Sequence, residues 1–315
     1  MLAFGEVQTG LLQNSRAVTG LRAAEVVNLV NGEQVRRLER PIAYAVSPDR
    51  PDGVDCRLPT GSGAHVRAIG TLITHAALVG GHVLQGSAYG YVEPGTADRR
   101  LPWPHYLTRP GRLEWIGKAR ADDIGAGLLS GARDSAVLDL PAITGRILDE
   151  VQRSPLLDHN PPLRAPRLRL RWVARIDRGQ TLSATFAVRS EELRTFEISL
   201  PSTDVRHPGH DLPAVVALCE DLALHDWLLT TLTTIVERAL TGDRRRRERV
   251  GGLQPAVEHL LHLWMPAARL GPELLPVWSD LEARPGFTRQ WETLVRRIRD
   301  QLAMSTLALL ETRGD

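Results

Sequence analysis

Residues 65–92 read HVRAIGTLITHAALVGGHVLQGSAYGYV. Two largely apolar runs, 65–79 and 82–92, flank Gly80-Gly81, a two-residue turn signal that predicts a β-hairpin. Working outward, residues 2–9 read as a strand and 20–30 as a short helix, with Leu21, Ala24, Val27 and Val30 at helical spacing. Residues 35–46 are strand-like, but Pro41 confines them to an edge or splits them. Residues 95–111 read as a proline- and glycine-rich loop carrying Trp103 and Tyr106. Two helical stretches, 122–130 and 141–153, precede three strands at 167–176, 182–188 and 193–200.

After Pro201 the pattern becomes helical: 208–240, 253–265, 273–283 and 287–310, separated by breakers such as Gly251-Gly252, Gly271-Pro272 and Pro285-Gly286. The expectation is an α+β protein in two parts. A mixed or antiparallel sheet domain with helices spans 1–205, and an all-helical domain of about four helices spans 206–315.

Composition narrows the function. The chain has 315 residues, 43% of them hydrophobic, and a formal net charge of +2. Residues 1–200 carry 25 basic and 21 acidic side chains and 201–315 carry 14 and 16, which argues against nucleic-acid binding. Lys118 is the single lysine and lacks the glycine spacing and hydroxyl of a phosphate-binding loop, so no Walker-type nucleotide site is expected. Two cysteines, Cys56 and Cys219, exclude a disulfide scaffold or a cysteine-only zinc site. The first residues do not read as a secretory signal, and the longest weakly polar run, 68–81, is short of a membrane span. The expected location is cytoplasmic, with reduced thiols and no membrane insertion.

Candidate sites come from two patterns. Arg167, Arg169 and Arg171 alternate with apolar residues, placing three guanidiniums on one strand face that could take an anion or a partner. The competing expectation is pairing with Glu191, Glu192 or Glu197. In the helical part, a wheel places His225 and Asp226 on the same roughly 100° stripe as Val215, Leu218, Cys219, Leu229, Val236 and Leu240. His259 and His262 are three apart on the next helix, so these four side chains form a candidate metal set. The charge run Asp243–Arg249 reads as a solvated loop.

The words Leu224-His225-Asp226 resemble those of the HD metal-dependent phosphohydrolases, with His207 or His210 as the first histidine. Trp227 and Leu228 replace the glycine and lysine usual after that family's pair. Longer stretches resemble an actinobacterial, Streptomyces-type family known by a locus label. They are Leu11-Leu12-Gln13-Asn14-Ser15, residues 40–48, residues 218–229, residues 259–266 and Arg284-Pro285-Gly286-Phe287. This resemblance covers essentially the whole chain. It implies a component that acts with other proteins, among them a variant P-loop protein encoded in the same small gene group. It carries over no cofactor and no catalytic residue. The expectation is therefore a non-catalytic interaction component, the alternative being a helical metal-dependent phosphohydrolase using His225, Asp226, His259 and His262.

Overall fold

The computed structural model describes residues 1–97, 99–130, 137–202, 211–241 and 246–311. Its centre is the hairpin of β5 (His65–Val79) and β6 (Val83–Pro94), paired from Val79↔Val83 to Ile73↔Tyr89. Gly80 and Gly81 have φ of 58° and 71°, as a tight hairpin turn demands, and His82 N–H donates to the Val79 carbonyl at 3.1 Å. Because pairing starts at Val83, the loop has three residues rather than two, and His82 is its third.

The two arms then part. β7 (Arg112–Ile116) fills the gap, antiparallel to β5 and parallel to β6. Gly70 makes this possible, since a Cβ there would lie 2.0 Å from the Arg112 carbonyl oxygen. On the far edge of β5 lie β4 (Arg50–Pro59) and β3 (Tyr44–Val46), the latter paired with the edge strand β2 (Arg36–Leu38). Beyond β6 come β1 (Leu2–Leu11), β8 (Leu168–Asp177), β10 (Leu193–Pro201) and β9 (Ser183–Val188). The result is a mixed sheet of ten strands, parallel where β8 meets β10 and β6 meets β7.

Both faces of this sheet are apolar, so both need cover. One face packs on α1 (Gly20–Val26), α3 (Ala121–Ser130) and α4 (Leu140–Gln152), whose Ile143, Ile147, Leu148 and Val151 are buried at helical spacing. Asp139 caps α4 by accepting from Ala142 N–H at 3.0 Å. A short α2 (Trp103–Leu107) interrupts the stretch expected to be loop. The other face packs on α5 (Leu212–Thr241), about 45 Å long at 1.5 Å per residue. α6 (Arg246–His259), a 3₁₀ turn (Leu261–Leu263), α7 (Leu275–Ala283) and α8 (Phe287–Glu311) surround α5 in turn.

This corrects the expected fold class. The protein is α+β, but its helices are not gathered into an all-helical C-terminal domain. Three longer or shorter helices of the first 160 residues cover one sheet face. Leu218, Leu222 and Leu229 of α5 share a core with Trp172 and Ala174 of β8 and Phe196 and Ile198 of β10 on the other. Periodicity identified the helices; it could not show that their apolar sides close on the sheet. No helix among the described residues is long and apolar enough to cross a membrane.

Candidate functional site

The most concentrated polar chemistry lies between the sheet and α5. Glu220 is 4% exposed and sits in the fully buried, mostly apolar run 218–229 of α5. Its carboxylate accepts from Tyr44 Oη of β3 at 2.9 Å and from Ser87 Oγ of β6 at 2.6 Å, and meets His75 Nε2 of β5 at 2.5 Å. Gln85 Nε2 donates to the Glu220 backbone carbonyl at 2.9 Å. The opposite ring nitrogen of His75 meets Asp49 at 3.1 Å, nearer the surface. The Arg269 guanidinium stands 4.0 Å from Glu220 and 3.8 Å from Asp221, and lies 4.1 Å from the centre of the Tyr44 ring.

The charges hold one another in place. Burial alone would push Glu220 up, but His75 and then Arg269 and Ser87 bring it down to about 2. Burial opposes a charge on His75, yet Glu220 and Asp49 lift it to about 9. Burial and the neighbouring Glu220 drive the Tyr44 phenol well above its ordinary range. At neutral pH this is a carboxylate–imidazolium pair with a neutral phenol and a guanidinium beside it. The space bordered by Leu38, Ile42, Tyr44, Asp221, Met265 and Arg269 is about 20 Å³, room for about one water. The network therefore ties β3, β5 and β6 to α5.

The candidate metal set is distributed over separate environments. His225 is fully buried; its Nδ1 donates to the Asp221 carbonyl at 2.6 Å, and its ring packs edge-on against Trp264 and Trp278. Burial pushes its pKa down, so the ring is neutral. Asp226 turns instead toward β10, where Arg194 Nε donates to it at 3.0 Å. Burial raises Asp226 to about 6 despite that partner. His259 meets His82, from the hairpin loop, at 3.1 Å, and His262 is exposed nearby. Among the described residues no group of three or more His, Cys, Asp or Glu is placed to hold a metal. His207, His210 and the side chains of the Asp243–Arg249 run lie outside the described residues.

The arginine row is engaged with acids. Arg171 pairs at 2.8 Å with Glu6, a fully buried carboxylate on β1; Arg167 pairs at 2.8 Å with Asp149; Arg169 lies 4.0 Å from Glu192. The carboxylates that meet Arg167 and Arg171 come from α4 and β1.

A different cationic feature lies at the outer edge of β4. An open cleft of about 770 Å³ separates it from the start of α4, bordered by Asp55, Arg57, Arg67, Asp139 and Arg146. Arg67 pairs with Asp55 at 2.9 Å, and Asp139 is occupied as the helix cap. Arg57 faces Arg67 directly across the β4–β5 ladder. Among the described residues neither Arg57 nor Arg146 has a side-chain hydrogen bond or ion pair.

Sequence reading passed over the Glu220 network. Its one local signal was the acid pair Glu220-Asp221 inside an apolar helix, matched by His75 inside an apolar strand. Comparison with protein-family models yields no match, and neither curated proteins nor solved structures yield a chain similar to this one.

Proposed function

We propose that this chain is a non-catalytic interaction component that works with other proteins, and that the cleft between β4 and α4 receives an acidic segment of a partner. The observation that carries this reading is the pair of guanidiniums, Arg57 and Arg146, that border an open cleft and have no partner among the described residues. Arg57 faces Arg67 across the ladder; Asp55 engages Arg67, and Arg57 has no carboxylate of its own among the described residues. Arginine forks match carboxylates in geometry as well as charge. The interior network supports the same reading from the other side. Its groups pair with one another, and the adjoining space admits about one water rather than a substrate. A P-loop protein remains among the expected partners through the family resemblance.

The test is purification of the untagged chain from its own host at low ionic strength, identification of the bound protein, and titration of that protein against wild type and an Arg57→Glu/Arg146→Glu variant. The variant is expected to keep its circular dichroism spectrum and to bind roughly tenfold or more weakly, with a reduced salt dependence. Unchanged affinity in the variant would overturn the docking site. Phosphoester turnover that requires His225 and Asp226 would replace the whole reading with the enzyme.

A further inference from the structure

His82 and His259 come from distant parts of the chain and face each other. His82 ends the β5–β6 loop, and His259 is the last residue of α6. His82 Nε2 and His259 Nδ1 are 3.1 Å apart, with ring centres 4.6 Å apart and planes at 63°. Neither ring has another hydrogen-bond or ion partner among the described residues. His262 lies in the 3₁₀ turn three residues after His259, is exposed, and is close enough for its charge to bear on His82.

The scaffold around the pair is stiff. A Cβ at Gly80 would lie 2.1 Å from the Leu263 side chain, and one at Gly81 would lie 2.4 Å from the Val18 carbonyl oxygen. The loop is thus seated directly on the turn that carries His262, and Leu263 is fully buried beneath it. Backbone motion that would separate the two rings is opposed from both sides.

Two imidazole nitrogens bound to one tetrahedral ion at 2.0–2.1 Å stand roughly 3.3–3.4 Å apart. The observed 3.1 Å lies within a few tenths of an ångström of that spacing. As free bases the two rings share one hydrogen between the facing nitrogens; when an ion takes both lone pairs, that hydrogen moves to the far nitrogen of the ring that carried it, and both rings bind as neutral imidazoles. We propose that His82 and His259 form a binding site for a divalent transition ion of the imidazole-preferring class, Zn²⁺, Ni²⁺ or Cu²⁺, with His262 turning in from solvent as a third ligand and water completing the shell. Three such side chains do not converge before the ion arrives. Among the described residues the second ring nitrogens have no carboxylate or carbonyl of the kind that tightens many metal sites, so the expected affinity is micromolar rather than nanomolar. Bound there, the ion fastens the hairpin loop to the end of α6, and the site is a clamp, separate from the β4–α4 cleft.

The experiment uses the full chain without a histidine tag, stripped with chelator, titrated calorimetrically with Zn²⁺ and Ni²⁺ and examined with Cu²⁺ by electron paramagnetic resonance. One equivalent is expected to bind, to raise the melting temperature, and to show at least two imidazole nitrogens on copper. His259→Gln is expected to weaken binding by roughly tenfold or more, and His262→Gln by less. A His207→Gln/His210→Gln control is expected to bind like wild type. Absence of saturable binding, a copper spectrum with fewer than two imidazole nitrogens, full affinity in His259→Gln, or loss in the control would each overturn the proposal. The copper spectrum of wild type decides the matter even where a variant fails to fold.

Discussion

Replacing Glu220 by glutamine removes one charge and almost no volume, which isolates the electrostatic role of the buried network. In the wild type the carboxylate meets Tyr44, Ser87 and His75 at 2.9, 2.6 and 2.5 Å. The displacement of its pKa from 4.5 to about 2, at about 1.36 kcal/mol per pH unit, corresponds to about 3 kcal/mol. The rise of His75 from 6.5 to about 9 is of the same size and includes the same pairing seen from the imidazole side, with Asp49 contributing as well, so the two are not added. Loss of one member of a buried pair typically costs about 3–5 kcal/mol, since the remaining charge keeps its desolvation penalty. Glu220→Gln is thus expected to lower unfolding free energy by about 3 kcal/mol.

The pH dependence gives the stricter test. A lowered carboxylate pKa stabilises above 4.5, and that contribution disappears as pH falls toward 2. A raised imidazole pKa stabilises below 6.5, and that contribution disappears as pH rises through about 9. The difference between wild type and variant should therefore be greatest between pH 4.5 and 6.5 and shrink on either side. Urea unfolding followed by tryptophan fluorescence suits the measurement, because Trp172 and Trp227 are fully buried. A difference below about 1 kcal/mol, or one that does not vary with pH, would refute the assignment of an ionised pair.

Asp226→Asn keeps an acceptor for Arg194 and abolishes a titration that burial has raised to about 6; because a raised carboxylate pKa costs stability as pH climbs from 3.8, the variant should gain on wild type by up to about 3 kcal/mol between pH 4 and 7, as read from urea midpoints. No relative gain over that interval would mean that Arg194 outweighs desolvation. Gly70→Ala places a methyl against the Arg112 carbonyl and is expected to lower stability by about 1–3 kcal/mol or more, seen as a reduced melting temperature. An unchanged melting temperature would contradict the close insertion of β7.

Where a segment's surroundings were set by its own neighbours in sequence, its structure was legible. The β5–β6 hairpin, the split around Pro41 into β2 and β3, the strands β8 to β10 and the helices α3, α4, α5, α7 and α8 follow from local spacing and breakers; α6 does not, since it starts at Arg246 inside the charge run expected to be loop, passes through Gly251-Gly252 and ends at His259. β4 escaped because Pro48, Pro51, Gly53 and Pro59 read as punctuation, yet among the described residues its other side carries just one bridge, from Arg57 to Val137, and tolerates them. β7 escaped because five residues between two glycines carry little pattern. The wheel drawn for α5 misled for a physical reason: residues 218–229 are buried all round, with sheet on one side and helices on the other, so no single stripe marks the core. His225 and Asp226 were correctly placed in the interior, but adjacent helical residues diverge, and each meets a different partner. Glu220 met its partners 145 and 176 positions away in sequence, a distance no local pattern spans.

The central position of β1 also bears on how the chain is made. Its two neighbours, β6 and β8, end at residues 94 and 177, so at roughly 5–20 residues per second β8 leaves the ribosome roughly 8–33 s after β1. For that interval one side of an apolar ten-residue strand has no ladder partner, the circumstance that favours pairing between nascent chains. Glu6 stands in the middle of that strand and receives Arg171 only when β8 docks. Until then it is an unshielded anion on an open edge, the type of residue that keeps such edges from associating. A carboxylate that burial disfavours in the finished protein thus acts as a gatekeeper during translation, and the arrival of its arginine ends that duty.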